Sequence, residues 1–506
     1  MKRDNKIQLI ILLLTLFFFE SCSKGFLIDD PKGKKLETNY FKTSEELYSG
    51  LIAAYSVLSR EISDRSSSWY NSKLVPLNAA SDECYAGGGN SSDQPAWQAM
   101  SNYKTLTPTV GPQSGFWGNN FDGIYRSNLV IEKAQENIAD LTDANRSRFV
   151  AEAKFLRAYF YFELVRLFKN VPLILGPISA DKWYTIAQVP AGETYAQIEK
   201  DLKESITILP EVLPTTENGR ATRGAAMALL GKVILFQNKE DRMYEAAEYF
   251  EKVSGSGHYQ LLTKYGEIFD PTHKFNAESI LEIPHTNAQN ATWEHGYILG
   301  NIYPTIIGPR AYSGPIYFSG GYGFNPIIEK FALEMKGDPR YPYTIANIDS
   351  LVKNNVGASY SQGYQNSGYF IQKFAPLKKF ESTTGIAEIN WPNNYIEIRL
   401  ADVYLMAAEA LLRSGRPTVG SHSAQWFLDQ VRKRVNLVSI PATLDNIYQE
   451  RKLELATEGH RWYDLVRTGK AKGALAFKGF ELNKNEILPI PLNELNNTKI
   501  KQNPNY

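Results

Sequence analysis

The stretch from Glu397 to Ser414 constrains the fold of this 506-residue chain more than any other. Ile398, Ala401, Leu405, Ala408 and Leu412 recur at helical spacing as one apolar stripe, and Leu400, Val403, Ala407 and Leu411 form a second stripe beside it. A helix apolar over so wide an arc must be packed on both sides. Ala407, Ala408 and Ala410 are small enough to let its neighbours approach closely.

The rest of the sequence supplies such neighbours in pairs. Residues 44–60 start after Thr43 or Ser44, either a suitable N-cap. Residues 116–139 and 143–168 form a pair, and in the second Phe149, Ala153, Leu156, Phe160, Leu164 and Leu167 share a face until Asn170 and Pro172 stop it. Residues 193–209 and 222–238, then 242–253, then 421–435 and a long stretch over 444–468 complete the set. Helical pairs with small residues at their contacts are the pattern of tetratricopeptide-like repeats, although no clean 34-residue period survives. The expected fold is mostly α, a tetratricopeptide-like helical-pair scaffold carrying long loop-rich insertions.

Three segments break the helical pattern. Residues 64–112 carry Gly87-Gly88-Gly89 with Trp69, Tyr70, Tyr85, Trp97 and Tyr103. Residues 285–326 interleave seven glycines with Trp293, Tyr297, Tyr303, Tyr312, Tyr317 and Tyr322, and residues 355–395 are similar. Long ordered loops on a rigid scaffold are where binding groups collect. Aromatics make up 12% of the chain, with Tyr (30) ahead of Phe (25), and a ring with a polar handle suits a binding surface.

Charge and reactive groups narrow the function further. Lys plus Arg (55) balance Asp plus Glu (54), which argues against nucleic acid as a partner. The two cysteines, Cys22 and Cys84, build no disulfide scaffold and no Cys-based metal site. The six histidines show no His-Glu-x-x-His spacing, and no Gly-x-Ser-x-Gly elbow, Walker loop or Asp-x-Asp-x-Asp calcium loop is present. Asp82-Glu83 is a carboxylate pair in a loop, but adjacent residues on an extended chain point apart, whereas a glycosidase holds two carboxylates about 5–9.5 Å apart across a sugar. No catalytic residue, metal or cofactor is therefore expected.

The N-terminus is a targeting segment. Lys2, Arg3 and Lys6 precede an apolar run from Leu9 to Phe19, eleven residues against the roughly 20 that span a bilayer. Ser21-Cys22 follows, which is similar to a bacterial lipobox with Cys22 as the lipidated residue. Residues 1–21 then form a lipoprotein signal peptide, and an ordinary secretory signal with an incidental cysteine is the alternative.

Six blocks in order carry a family resemblance: EAKFLRAYFYFELVRLFKNVPLI at 152–174, RATRGAAMALLGKVIL at 220–235, IEIRLADVYLMAAEALL at 396–412, LDQVRKR at 428–434, ERKLELATEGHRWYDLVRTG at 450–469, and the closing ILPIPLNEL and QNPNY. Together with the lipobox they resemble the SusD/RagB family of outer-membrane nutrient-binding lipoproteins. The resemblance implies a body over 22–506, with an N-terminal helical part to about 260, a loop-rich insertion over about 261–395 and a C-terminal helical part over about 396–506. It implies a non-catalytic oligosaccharide-binding protein, anchored by lipid to the outer membrane and facing the exterior, working with a SusC-like TonB-dependent β-barrel. A peptide-binding RagB-like protein and, more remotely, a glycan-active enzyme are the alternatives. A sugar offers an apolar C–H face to a flat ring and hydroxyls to polar side chains. Composition and the family's placement of its ligand aromatics converge on Trp97, Trp293, Tyr297 and Tyr317 as stacking rings, with Tyr85 and Asn102 as secondary candidates. Such rings also serve to plug the small cores of loops. In the 450–469 block, Glu450, Arg451, Glu454, Glu458 and Arg461 alternate in sign, which suggests an ion-pair network holding the last helix.

Overall fold

The computed structural model describes residues 40–60, 70, 72–289, 291–293, 299–314, 317–496 and 498–506. Nine helices of more than ten residues make the frame among these: α1 (Ser44–Tyr55), α2 (Gln113–Lys133), α3 (Asp143–Phe168), α4 (Ala191–Ile208), α5 (Arg223–Phe236), α6 (Met243–Ser254), α7 (Leu400–Arg413), α8 (Ala424–Arg434) and α9 (Leu444–Glu454). Their starts follow local chemistry. The Thr43 hydroxyl accepts from Glu46 N while the Glu46 carboxylate accepts from Thr43 N, a capping box that opens α1. Thr142, Thr222, Ser423 and Thr443 cap α3, α5, α8 and α9 more simply, each hydroxyl accepting from the backbone N–H three residues on. Lys169, at φ 67°, ends α3 just before Asn170 and Pro172.

From α2 to α8 the helices pack largely on their chain neighbours, and α7 bridges back onto α6. Close approach needs glycine at two of these contacts. A Cβ on Gly123 of α2 would lie 2.3 Å from the Phe160 ring of α3, and one on Gly231 of α5 would lie 2.6 Å from Phe250 of α6. α7 is surrounded: Leu400, Ala401, Val403, Leu405, Ala407, Ala408 and Ala410 have no exposed surface. Its two acids are buried with it and paired. Asp402 accepts from Arg451 (2.7 Å) and Lys232 (3.2 Å), and Glu409 from Arg467 Nη2 (2.7 Å).

Several expected boundaries move. The α7 helix begins at Leu400 rather than 397, because Tyr395–Arg399 is a strand; with β1 (Ser279–Ile283), β2 (Ile345–Asn347) and β3 (Tyr369–Ile371) before it, this is β4. β4 pairs antiparallel with β1, setting Leu281 opposite Ile398 and Ile283 opposite Tyr395, and β2 pairs with β3. The stretch over 444–468 is two helices, α9 and Arg461–Arg467. Between them Thr457 and Gly459 take φ 66° and 80°, with Thr457 N donating to Glu83 Oε2 and Gly459 N to Asn78 Oδ1. The segment 64–112, expected as loop, contains the helices Leu74–Ala80 and Pro95–Ser101.

The charged block at 450–469 does form a network: Arg451 and Arg467 bond Asp464 within it, at 2.9 and 2.8 Å, and its other partners come from other segments. Arg340 bonds Glu450 (2.7 Å) and Glu454 (2.9 Å), Arg399 bonds Glu278, Glu454 and Glu458 (2.6–2.9 Å), and Lys373 bonds Glu458 (2.6 Å). These groups are all but fully buried, so the network clamps the loop insertion, β1, β4 and α9 together. Asp82 and Glu83 belong to the same clamp: Asp82 accepts from Arg461 at 2.7 and 2.9 Å and Glu83 from Thr457 N at 2.9 Å. The terminal Gln502-Asn503 is also structural, Gln502 bonding both Ile490 N and O and Asn503 donating to Leu488 O. Among the described residues no helix is long and apolar enough to cross a membrane.

Candidate functional site

The loop insertions do not merely drape over the helices; they enclose a second apolar core of their own. Trp97, Tyr303, Ile306, Ile307, Phe324, Phe331 and Phe374 are buried there, and Tyr70, Trp293 and Tyr322 pack half-buried along its edge. Trp97 lies on the short helix Pro95–Ser101, which Gln94 enters at φ 50° and which Gln98 holds by donating to Gly87 O (2.8 Å) and Asp93 O (3.0 Å). Its indole meets Phe324 edge-on, with ring centroids 4.8 Å apart and planes at 88°. The Tyr70 ring lies 5.9 Å from Trp97 and 6.2 Å from Tyr322.

Glycines allow this convergence. Gly87 and Gly88 take φ 75° and 87°, and a Cβ on either would lie 2.4–2.5 Å from Pro326 or Phe324. The Gly87-Gly88-Gly89 run thus lets the 80s loop press against the 320s loop, with Gly88 N donating to Gly323 O and Tyr364 N to Gly88 O. Arg310 props the 320s loop from below, donating to Tyr322 O at 3.1 Å. Tyr322 donates its phenol to exposed Glu388 at 3.2 Å. Burial pushes the phenol pKa values of Tyr70 and Tyr322 up, so both stay protonated donors at neutral pH. Two half-buried rings beside an exposed carboxylate have the chemistry to stack on a sugar face and to accept from its hydroxyls.

The structure sorts the sequence candidates. Trp97, expected as an exposed stacking ring, is only 3% exposed and forms the floor beneath Tyr70, because the insertion needed a large ring to fill its own core. Trp293 is half-buried at the edge of that core. Tyr317 is 50% exposed, but its ring meets Phe318 of a separate small core around Tyr312, Ile348 and Phe370. Tyr85 is half-buried with Lys478 Nζ 5.7 Å from its ring centre, and Asn102 is exposed at the end of the Trp97 helix. Tyr297 and Cys22 lie outside the described residues. In the sequence Tyr70 and Tyr322 stand among the loop aromatics but not among the chosen stacking rings, and Glu388 is not singled out. Nothing in the linear sequence places residues 70, 322 and 388 together. Among the described residues no three His, Cys, Asp or Glu side chains gather as metal ligands.

Two family models together match residues 51–506. Residues 51–235 match a model described as starch-binding, associating with the outer membrane, and residues 235–506 match the SusD family model. The chain belongs to the SusD family. A SusD-like protein of Formosa agariphila, P2, is 26% identical over the full length of both chains. Among solved structures, a laminarin-binding SusD-like protein is 41% identical, with a TM-score of 0.85 over 92% of this chain and all of the other. Surface glycan-binding protein A from Bacteroides thetaiotaomicron, in complex with laminarihexaose, is 29% identical with a TM-score of 0.82, covering 91% of this chain and 99% of that one. The mostly helical fold agrees with these matches.

Proposed function

We propose that this SusD-family protein is a non-catalytic cell-surface glycan-binding protein whose ligand is a laminarin-type oligosaccharide, bound at the edge of the insertion core by Tyr70, Tyr322 and Trp293. The observation that carries the reading is the half-buried Tyr70–Tyr322 pair standing over Trp97, with Glu388 in hydrogen-bond contact with the Tyr322 phenol. Such rings are held in place by the floor beneath them and so lose little conformational freedom when a sugar stacks on them. The 41% identity to a laminarin-binding relative supports the choice of glycan. Cys22 is the lipid anchor to the outer membrane, and a SusC-like TonB-dependent barrel receives the captured oligosaccharide.

Calorimetric titration of the protein with laminarihexaose, beside a peptide library and an assay for new reducing ends, tests the reading. Saturable binding of the hexasaccharide without cleavage is expected. Peptide binding with no response to the sugar would favour the RagB-like alternative, and release of reducing ends would make the protein an enzyme. On the same reading, Cys22→Ala abolishes labelling by a fatty-acid probe, and a TonB-dependent barrel co-purifies in mild detergent.

A further inference from the structure

Lys478 differs from every other base in the interior. Among the described residues the eight other buried Arg and Lys side chains each meet a carboxylate, as Lys232 meets Asp402 and Lys373 meets Glu458. Lys478, only 4% exposed, meets backbone instead. Its ammonium donates to Ala79 O, Ser81 O and Cys84 O, each at 2.6 Å. These carbonyls lie at and just beyond the C-terminal end of the helix Leu74–Ala80, all seven residues of which are buried. The last carbonyls of a helix have no partner within it, and here water does not reach them. Lys478 therefore caps that end from the far end of the chain, and the Tyr103 phenol takes the carbonyl in between, donating to Ala80 O at 2.6 Å. Burial pushes the Lys478 pKa down to about 7, while three carbonyls at the negative end of a helix favour the ammonium. An apolar side chain at 478 would leave three buried acceptors unpaired.

The capped end leads straight into the aromatic edge. From Cys84 the chain runs antiparallel to the 320s loop, with Tyr85 N donating to Pro326 O (3.0 Å), Asn325 N to Ala86 O (2.9 Å) and Gly88 N to Gly323 O (2.9 Å). Tyr322 is the next residue along that ladder. Gly87 O, on the same strand, accepts from Gln98 of the Trp97 helix at 2.8 Å. Rim and floor of the edge are thus set in register by one short strand, and Lys478 holds the carbonyl at its start. We propose that Lys478 is a positioning residue for the glycan edge, its ammonium fixing residues 79–84 and, through the ladder that follows, the placing of Tyr322 beside Tyr70. The proposal rests on the reading of this edge as the ligand site.

Laminarihexaose titration and hydrogen exchange on the wild type, Lys478→Met and Lys478→Arg test it. Lys478→Met keeps the bulk of the side chain and loses its donors. Affinity of the folded protein should fall at least about fivefold, and the amides of Tyr85, Gly88 and Asn325 should exchange at least about tenfold faster while those of α7 keep their rates. Lys478→Arg retains donors for the same carbonyls and should recover much of both losses. Unchanged affinity in a folded Lys478→Met protein overturns the proposal. Faster exchange that extends equally into α7 also overturns it, because Lys478 would then support the whole fold alike, and so does a Lys478→Arg protein as impaired as Lys478→Met. Should Lys478→Met not fold, Lys478→Gln carries the same comparison, and unchanged affinity in it counts in the same way. If laminarihexaose does not bind the wild type at all, the reading of the ligand fails, and the exchange rates alone still decide whether Lys478 fixes the ladder.

Discussion

The helical interior around α7 and the aromatic edge of the insertion core use polar groups in opposite ways. Around α7 and α9, Asp402, Glu409, Glu454 and Glu458 are fully desolvated and each meets Arg or Lys partners. Those charges have no capacity left for a ligand, and the neighbouring bases hold the Asp402, Glu454 and Glu458 carboxyls below the usual range. At the edge, Tyr70, Trp293 and Tyr322 are half-buried against the insertion core, and Glu388 is open to solvent. The contrast separates groups sealed inside the fold from groups that reach its surface. It also explains why the family blocks, which lie in the first region, identify the scaffold and leave the ligand to the loops.

The sharpest way to break this contrast is to remove a scaffold charge. Arg399→Met leaves Glu278, Glu454 and Glu458 buried with one base fewer, and should cost about 3–5 kcal/mol in denaturant unfolding. The fraction that remains folded should bind laminarihexaose with unchanged affinity. Trp97→Ala probes the boundary between the regions. It opens a cavity under Tyr70 and should cost about 3 kcal/mol of stability, so weakened binding in this variant must come with a lower melting temperature.

A pH titration sharpens the scaffold side. Burial pushes the Glu83 carboxyl up to about 7, the Thr457 N–H offsetting this only in part, and Glu83 Oε1 has no hydrogen-bond partner among the described residues. A carboxyl whose folded pKa is raised holds its proton more tightly in the folded state. Its contribution to stability is greatest below the unfolded value of about 4.5 and falls as pH rises through 7. The wild type should lose about 3 kcal/mol from this group across that window. Glu83→Gln should flatten the profile while keeping an acceptor for Thr457 N. A steep loss that persists in Glu83→Gln would place the titrating group elsewhere. The smallest effect belongs to Tyr322→Phe, which removes the phenol's bonds to Tyr70 and exposed Glu388 at the half-buried edge and should shift stability by only about 1 kcal/mol.

What the sequence makes legible follows from the range of the interactions involved. α7 could be read because its two apolar stripes are local, and α1 and α3 because Thr43 and Thr142 bond backbone amides three residues on. The start of α7 could not, since Tyr395–Arg399 becomes a strand only by pairing with Ser279–Ile283, more than a hundred residues earlier. The break after α9 was hidden for the same reason: Glu83 and Asn78 hold it from the far end of the chain. At the candidate site, composition singled out the loops 64–112 and 285–326, and only the structure separates a buried Trp97 from a half-buried Tyr70 and Tyr322 within them. Trp97 has the chemistry of a stacking residue, and only its edge-on contact with Phe324, more than two hundred residues away, makes it a floor.

The most direct test compares laminarihexaose affinity in the wild type and in Tyr322→Ala by calorimetry, with melting temperatures recorded on the same samples. A stacking ring is worth about 1–3 kcal/mol, with sugars towards the lower end. The account predicts affinity at least about fivefold weaker with little change in melting temperature. Unchanged affinity in a folded Tyr322→Ala protein would contradict it and move the glycan away from this edge.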